Sequence, residues 1–84
     1  MTMQSDSSLI ERIQNTLAEA LRLPIDSFTN ETAFGDMPQW DSLGHMEVMM
    51  LLEQEFGIEI NADTIASLTS IPAIYAHITQ SKEV

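Results

Sequence analysis

The stretch Ser42–Phe56, SLGHMEVMMLLEQEF, narrows the possible folds more than any other part of the chain. It reads as one helix. Gly57 follows as its expected C-cap. Its middle, Val48 to Leu52, is apolar on every side. A helix apolar all round has to be enclosed by other elements.

The rest of the chain offers helices to enclose it. Leu9, Ile10, Ile13, Leu17, Ala20 and Leu21 fall on one face at helical spacing, with Glu11, Arg12, Gln14, Asn15 and Glu19 on the other. Ser7 or Ser8 is the expected cap of this first helix, with Glu11 completing a capping box from Ser8. Pro24 is its expected terminator, because the residue before a proline is pushed out of the α region. Asn61 or Asp63 can cap a short third helix over Thr64 to Ser67. Thr69 or Ser70 can cap a last helix, with Pro72 near its first position and Ile71, Ile74, Tyr75 and Ile78 as its buried stripe. No segment shows strand-like alternation. The expected fold is therefore all-α, a small four-helix bundle of three longer helices and one short one.

A long connection, Leu23 to Trp40, separates the first two helices. Loops of this length are usually functional or packed by their own side chains. Ile25, Phe28, Ala33, Phe34 and Trp40 can pin it to a core, and a short helical turn is expected near Asp26 to Phe28. The 84 residues make one domain, 1–84, with residues 1–6 and 80–84 as expected flexible tails. An apolar fraction of 44% is enough for a packed interior, and the chain has no cysteine, so neither a disulfide nor a thiolate metal site contributes.

Thirteen acidic residues face three basic ones, giving a net charge of -10. Nucleic acid and anionic membrane surfaces repel such a chain, whereas protein surfaces with basic patches attract it. The plainer reading is that acidity keeps a small protein soluble. No secretory signal and no apolar run of the roughly 20 residues that span a bilayer is present. These features point to a cytoplasmic monomer without membrane insertion.

Enzyme chemistry finds little support. His45 and His77 lie on different expected helices, and a lone histidine on a helix face is usually a surface residue. His45 and Glu47, two apart, do not face each other and make a poor metal pair. There is no HExxH, phosphate-binding glycine loop or GxSxG elbow. A calcium loop starting at Asp26 fails at its third position, Phe28. No metal site is expected. Ser42 has a neighbouring acid, Asp41, but no placed base, so it is a poor nucleophile. It reads better as an acceptor that another enzyme modifies, at a helix start whose free N–H groups and positive dipole end suit an anion. A plain N-cap serine is the alternative.

DSLGHMEVMMLLEQEFGIEI, Asp41 to Ile60, resembles the acyl carrier proteins of fatty acid and polyketide synthesis. The residues that carry the resemblance are Asp41, Ser42 and Leu43 at the helix start, Glu53 and Phe56 at its end, and Ile58 and Ile60 in the turn after it. SFTNETAF, Ser27 to Phe34, is similar to the loop upstream of that family's modified serine. SLTSIPAIYAHI, Ser67 to Ile78, is similar to its last turn and helix. The resemblance covers nearly the whole chain.

It implies a four-helix bundle in which Ser42, flanked by Asp41 and Leu43, bears 4'-phosphopantetheine derived from coenzyme A. A phosphopantetheinyl transferase using magnesium would attach it. Acyl groups would then ride on its thiol as thioesters between acyl-activating or acyl-transferring enzymes with basic docking patches. The protein would be a carrier rather than an enzyme. Asp41, Leu43, Met46, Glu47, Met50 and Glu53 are the expected partner face, with Leu43, Met46 and Met50 as an apolar stripe at i, i+3 and i+7. Glu55 adds to the acidity beside it. Met49, Leu52 and Phe56 are expected in the core. Phe34, Val48, Met49, Leu52 and Ile65 are candidates for lining a cavity that shelters an acyl chain.

The sequence departs from the family pattern in three places. Trp40 stands where a glycine usually precedes Asp-Ser, Gly44 stands where an acidic residue is often found, and Asn61 replaces a common proline. Trp40 and His45 look more like carriers of specialised pathways, and Asp41 favours acyl over peptidyl carriage. An aminoacyl or peptidyl carrier, or an unmodified acidic interaction module, are the competing readings.

Overall fold

The structure, a computed structural model, describes residues 4–82, with side chains from residue 8 to residue 80. Four α-helices form the bundle: α1 (Gln4–Leu21), α2 (Ser42–Phe56), α3 (Ala62–Ser67) and α4 (Ile71–Lys82). No strand occurs among the described residues, only a single bridge between Ala33 and Ser70.

The expected face of α1 is the buried one: Ile13 and Leu17 are fully enclosed and Leu21 nearly so. Thr16 joins them at no polar cost, since its hydroxyl donates to the Arg12 carbonyl at 2.8 Å. The start of α1 differs from expectation. The helix begins at Gln4, so Ser7 and Ser8 lie inside it and neither opens it. No proline or glycine precedes them to stop the helix growing toward the N-terminus. Met1 to Met3 lie outside the described residues, as do Glu83 and Val84, while α4 continues through Ser81 to Lys82.

The other end of α1 shows how Pro24 acts at a distance. The proline denies Leu23 the helical conformation, and the chain reverses one residue earlier, at Arg22, with φ 59°. The Leu23 amide then donates to the Ala18 carbonyl at 3.0 Å, the six-to-one bond that closes a helix C-terminus. A left-handed residue with a side chain is held there at a cost of about 1–2 kcal/mol.

α2 lies mainly against α1, and Val48, Met49 and Leu52 are fully buried between the helices. Phe56 is half-buried, with the Arg12 guanidinium 4.7 Å from its ring centre. Gly57, φ 71°, closes the helix in the left-handed conformation, as expected. Asn61 caps α3, and Asn61 and Thr64 form a reciprocal capping box. Ser70 precedes α4 and accepts from the Ala73 amide at 3.1 Å. Ile71, Ile74 and Ile78 of α4 complete the core. Each such fully buried aliphatic side chain stabilises the fold by about 1.5–3 kcal/mol.

The long connection contains a 3-10 turn at Ile25–Ser27. Phe28 and Trp40 are its apolar anchors, and Trp40 has no exposed surface. Ile25 and Phe34, expected as anchors too, are 38% and 43% exposed. Backbone bonds hold the middle of the loop instead. The Phe34 amide donates to the Thr69 carbonyl at 2.8 Å, and the Ile71 amide donates to the Thr32 carbonyl at 2.9 Å. The approach to α2 is thereby fastened to the start of α4.

Candidate functional site

The site forms where the connection runs into α2. Asp41 is the N-cap: its backbone is extended and its Oδ1 accepts from the Gly44 amide at 2.9 Å. Its carbonyl accepts the His45 amide at 2.7 Å. Ser42, read from sequence as a possible cap, is instead the first helical residue. Asp and Ser cap about equally well, and Asp41 takes the role because it is the last extended residue before the turn. Ser42 is exposed, and its hydroxyl forms no hydrogen bond among the described residues.

Gly44 explains how the chain can fold so tightly here. A Cβ at this position would overlap the Gln39 carbonyl oxygen and sit 2.9 Å from Leu21 Cδ2. The missing side chain lets the end of the loop fold back over the first turn of α2 and lets the end of α1 approach it.

His45 is not the surface residue its lone position suggested. It is only 5% exposed. The Trp40 Nε1–H donates to His45 Nδ1 at 3.0 Å, and His45 Nε2 lies 2.8 Å from the Ile65 carbonyl oxygen. A carbonyl only accepts, so Nε2 carries the proton and Nδ1 is the acceptor; a neutral imidazole satisfies both partners. The Ile65 carbonyl belongs to the last turn of a six-residue helix, where carbonyls lack intrahelical partners. Loop, α2 and α3 are thus joined by one chain of hydrogen bonds. Phe34 lies edge-on to both rings, its ring centre 5.7 Å from that of His45 and 6.5 Å from that of Trp40. The sequence signal was present in an indole five residues before a helical histidine, but spacing alone does not show that the two meet across a helix start.

A groove of about 340 Å³ opens beside Ser42, lined by Phe34, Ser42, His45, Met46, Ile65 and Thr69. Two of the five cavity candidates, Phe34 and Ile65, lie in it. Val48, Met49 and Leu52 do not; they are fully enclosed in the core. Thr69 was read from sequence only as a possible cap of the last helix, because a threonine before a helix reads first as a cap.

The apolar stripe of α2 faces outward: Leu43, Met46 and Met50 are 80%, 41% and 48% exposed. Asp41, Glu47 and Glu53 are exposed alongside it. Three exposed apolar side chains and three exposed acidic residues thus share this part of the chain. No helix among the described residues is long and apolar enough to cross a membrane.

A short all-helical bundle that presents one unengaged serine at a helix start has the architecture of a carrier domain. Residues 11–78 match the family model described as a phosphopantetheine attachment site, and the chain belongs to this family of phosphopantetheine-carrying proteins. Its members hold 4'-phosphopantetheine covalently, are in general not catalytic, and interact with phosphopantetheinyl transferase and acyl-handling enzymes. The site fits the group: an exposed, unengaged hydroxyl sits at the positive end of α2 with an apolar groove beside it.

Proposed function

We propose that Ser42 is the attachment residue and that the protein is an acyl carrier shuttling intermediates between enzymes of a fatty acid, polyketide or related specialised pathway in the cytoplasm. The observation that carries this reading is Ser42 itself, exposed at the first position of α2 with its hydroxyl uncommitted. In the attachment step the Ser42 Oγ–P bond forms as the pyrophosphate P–O bond of coenzyme A breaks, and the adenosine bisphosphate leaves. The Ser42 proton goes to a base on the transferase, because both ring nitrogens of His45 are already engaged. Once attached, the group supplies a thiol that holds acyl chains as thioesters.

Asp41 has two roles in this reading. Its side chain fixes the turn that presents Ser42, and its remaining charge, with Glu47 and Glu53, attracts basic patches on partners. Leu43, Met46 and Met50 supply the apolar part of the same contact, and flexible methionines suit a surface that meets several partners. Intact mass after incubation with coenzyme A, magnesium and a broad transferase tests the reading. The expected result is the gain of one arm, abolished by Ser42→Ala; no gain, or a gain that survives the substitution, refutes it and leaves an acidic interaction module. Loading with acyl and aminoacyl donors then separates acyl from peptidyl carriage.

A further inference from the structure

The methionines of α2 sit in contrasting surroundings. Met49 is fully enclosed in the core, whereas Met46 and Met50 are exposed. Ser42, Met46 and Met50 are spaced i, i+4 and i+8, so they follow one another along one side of the helix. Their backbones lie about 6 and 12 Å along the axis from that of Ser42, at 1.5 Å of rise per residue. A protein that engages the Ser42 hydroxyl together with the turns that follow it covers both thioethers.

These thioethers are also the groups of the chain most open to a mild oxidant. The chain has no cysteine, so before an arm is attached no thiol competes with them. Trp40, the single indole, is fully buried, its N–H committed to the Trp40–His45–Ile65 relay of hydrogen bonds. Met37 is half-buried against the core. Among the described methionines, an oxidant arriving from solvent therefore meets Met46 and Met50 first. Neither belongs to the buried cluster, so a polar oxygen on its sulfur stays in solvent and the bundle keeps its packing. The surface is what changes: a flexible apolar side chain becomes a polar, chiral one. Of the stripe's three apolar residues only Leu43 then remains.

We propose that Met46 and Met50 form a reversible oxidation site on α2, and that converting both to sulfoxides lowers the attachment of the arm to Ser42. The oxidant is a peroxide. At each residue its O–O bond breaks and an S–O bond forms; the sulfur loses two electrons and, with hydrogen peroxide, water leaves. Methionine sulfoxide reductases, one for each sulfoxide epimer, reverse the step: two thiols become a disulfide and the oxygen departs as water. This rests on the assignment of Ser42 as the attachment residue and of this side of α2 as the partner face. Peroxide would thus hold back the arming of new carrier without unfolding it.

The test uses the full chain before arm attachment, treated with graded hydrogen peroxide. Tandem mass spectrometry follows each methionine, circular dichroism follows the helices, and the gain of the arm from coenzyme A and magnesium with a broad transferase gives kcat/KM. Met46 and Met50 are expected to convert well before Met49, with the helical signal unchanged. A fall of about tenfold or more in kcat/KM is expected, because burying even one methionine at a contact is worth about that factor. Treatment with both reductases is expected to restore the rate. Each protein is compared with its own untreated form, so the variant Met46→Leu with Met50→Leu is expected to lose less than about twofold on oxidation. Met1, Met3, Met37 and Met49 are common to parent and variant, so a loss as large in the variant assigns the effect to them and overturns the proposal. Conversion of Met49 in step with Met46 and Met50 overturns it, as does full conversion at both sites with the rate unchanged. Should the untreated variant accept no arm, recovery of the parent by the reductases decides, and a parent that stays slow once its sulfoxides are reduced refutes the site. An untreated parent that never gains the arm overturns the Ser42 assignment together with this proposal, whereas an untreated parent that is armed normally and is indifferent to peroxide overturns this proposal alone.

Discussion

Trp40→Phe separates the hydrogen bond of the relay from the packing around it. The substitution keeps an aromatic ring in a fully buried site and removes the donor that His45 Nδ1 accepts from at 3.0 Å. His45 is 5% exposed, so water does not readily replace the indole. A buried acceptor left without a donor costs about 1–3 kcal/mol. The smaller ring leaves a void, and the cost of lost packing is about 1 kcal/mol or more. The sum is roughly 2–4 kcal/mol, a large share of the roughly 4–13 kcal/mol that a domain of this size commands. A loss of 2 kcal/mol lowers Tm by roughly 8–16 °C. Urea unfolding followed by helical circular dichroism measures the change. Combining Trp40→Phe with His45→Leu, in a double-mutant cycle, isolates the pair: contacting residues in one network couple by about 0.5–3 kcal/mol. A single-variant cost below about 0.5 kcal/mol, together with a coupling near zero, refutes the relay as a stabilising element.

Four further outcomes are expected. Gly44→Ala, which in an open helix interior would stabilise by up to about 1 kcal/mol, instead destabilises by about 1–3 kcal/mol because its Cβ meets backbone at Gln39; denaturant titration reads the sign. Arg22→Gly relieves the left-handed strain at the end of α1 and raises stability by about 0.5–1 kcal/mol after the entropy of the unfolded glycine is counted; thermal unfolding measures it. Asp41→Ala costs about 0.5–2 kcal/mol through the lost cap, whereas Asp41→Asn keeps the cap and most of the stability, so any loss of transferase activity in the asparagine variant reports charge. Glu47→Lys and Met50→Ser, both at exposed positions, leave helicity intact and weaken transfer to partner enzymes, as steady-state kinetics with the carrier as variable substrate would show; two variants as active as the parent place the docking face elsewhere.

The bundle was legible because its signals are local. Ile13, Leu17 and Leu21 recur at helical spacing, Gly57 has no competitor as a C-cap, and Pro24 limits α1 by steric exclusion alone. The misread elements depend on contacts that spacing does not encode. The start of α1 lies upstream of Ser7 because a candidate cap binds only when the chain bends there. Ser42 and Asp41 are equivalent caps on intrinsic preference, and the back-folded loop permitted by Gly44 decides between them. Phe34 looked like an anchor because it is large and apolar, yet the backbone bond to Thr69 holds its loop and leaves the ring partly in solvent. His45 passed for a surface residue because its partners, Trp40 and Ile65, come from two other elements.

The backbone tie between the long connection and the start of α4 has a consequence in time. The Thr32 carbonyl and the Phe34 amide find their backbone partners in Ile71 and Thr69, far downstream. A nascent chain that has emerged through α2 carries the serine but not the frame that presents it. The groove is likewise incomplete until Ile65 and Thr69 appear. Presentation of Ser42 is therefore a property of the finished chain, and a fragment broken off before α4 bears the same motif without the surface around it.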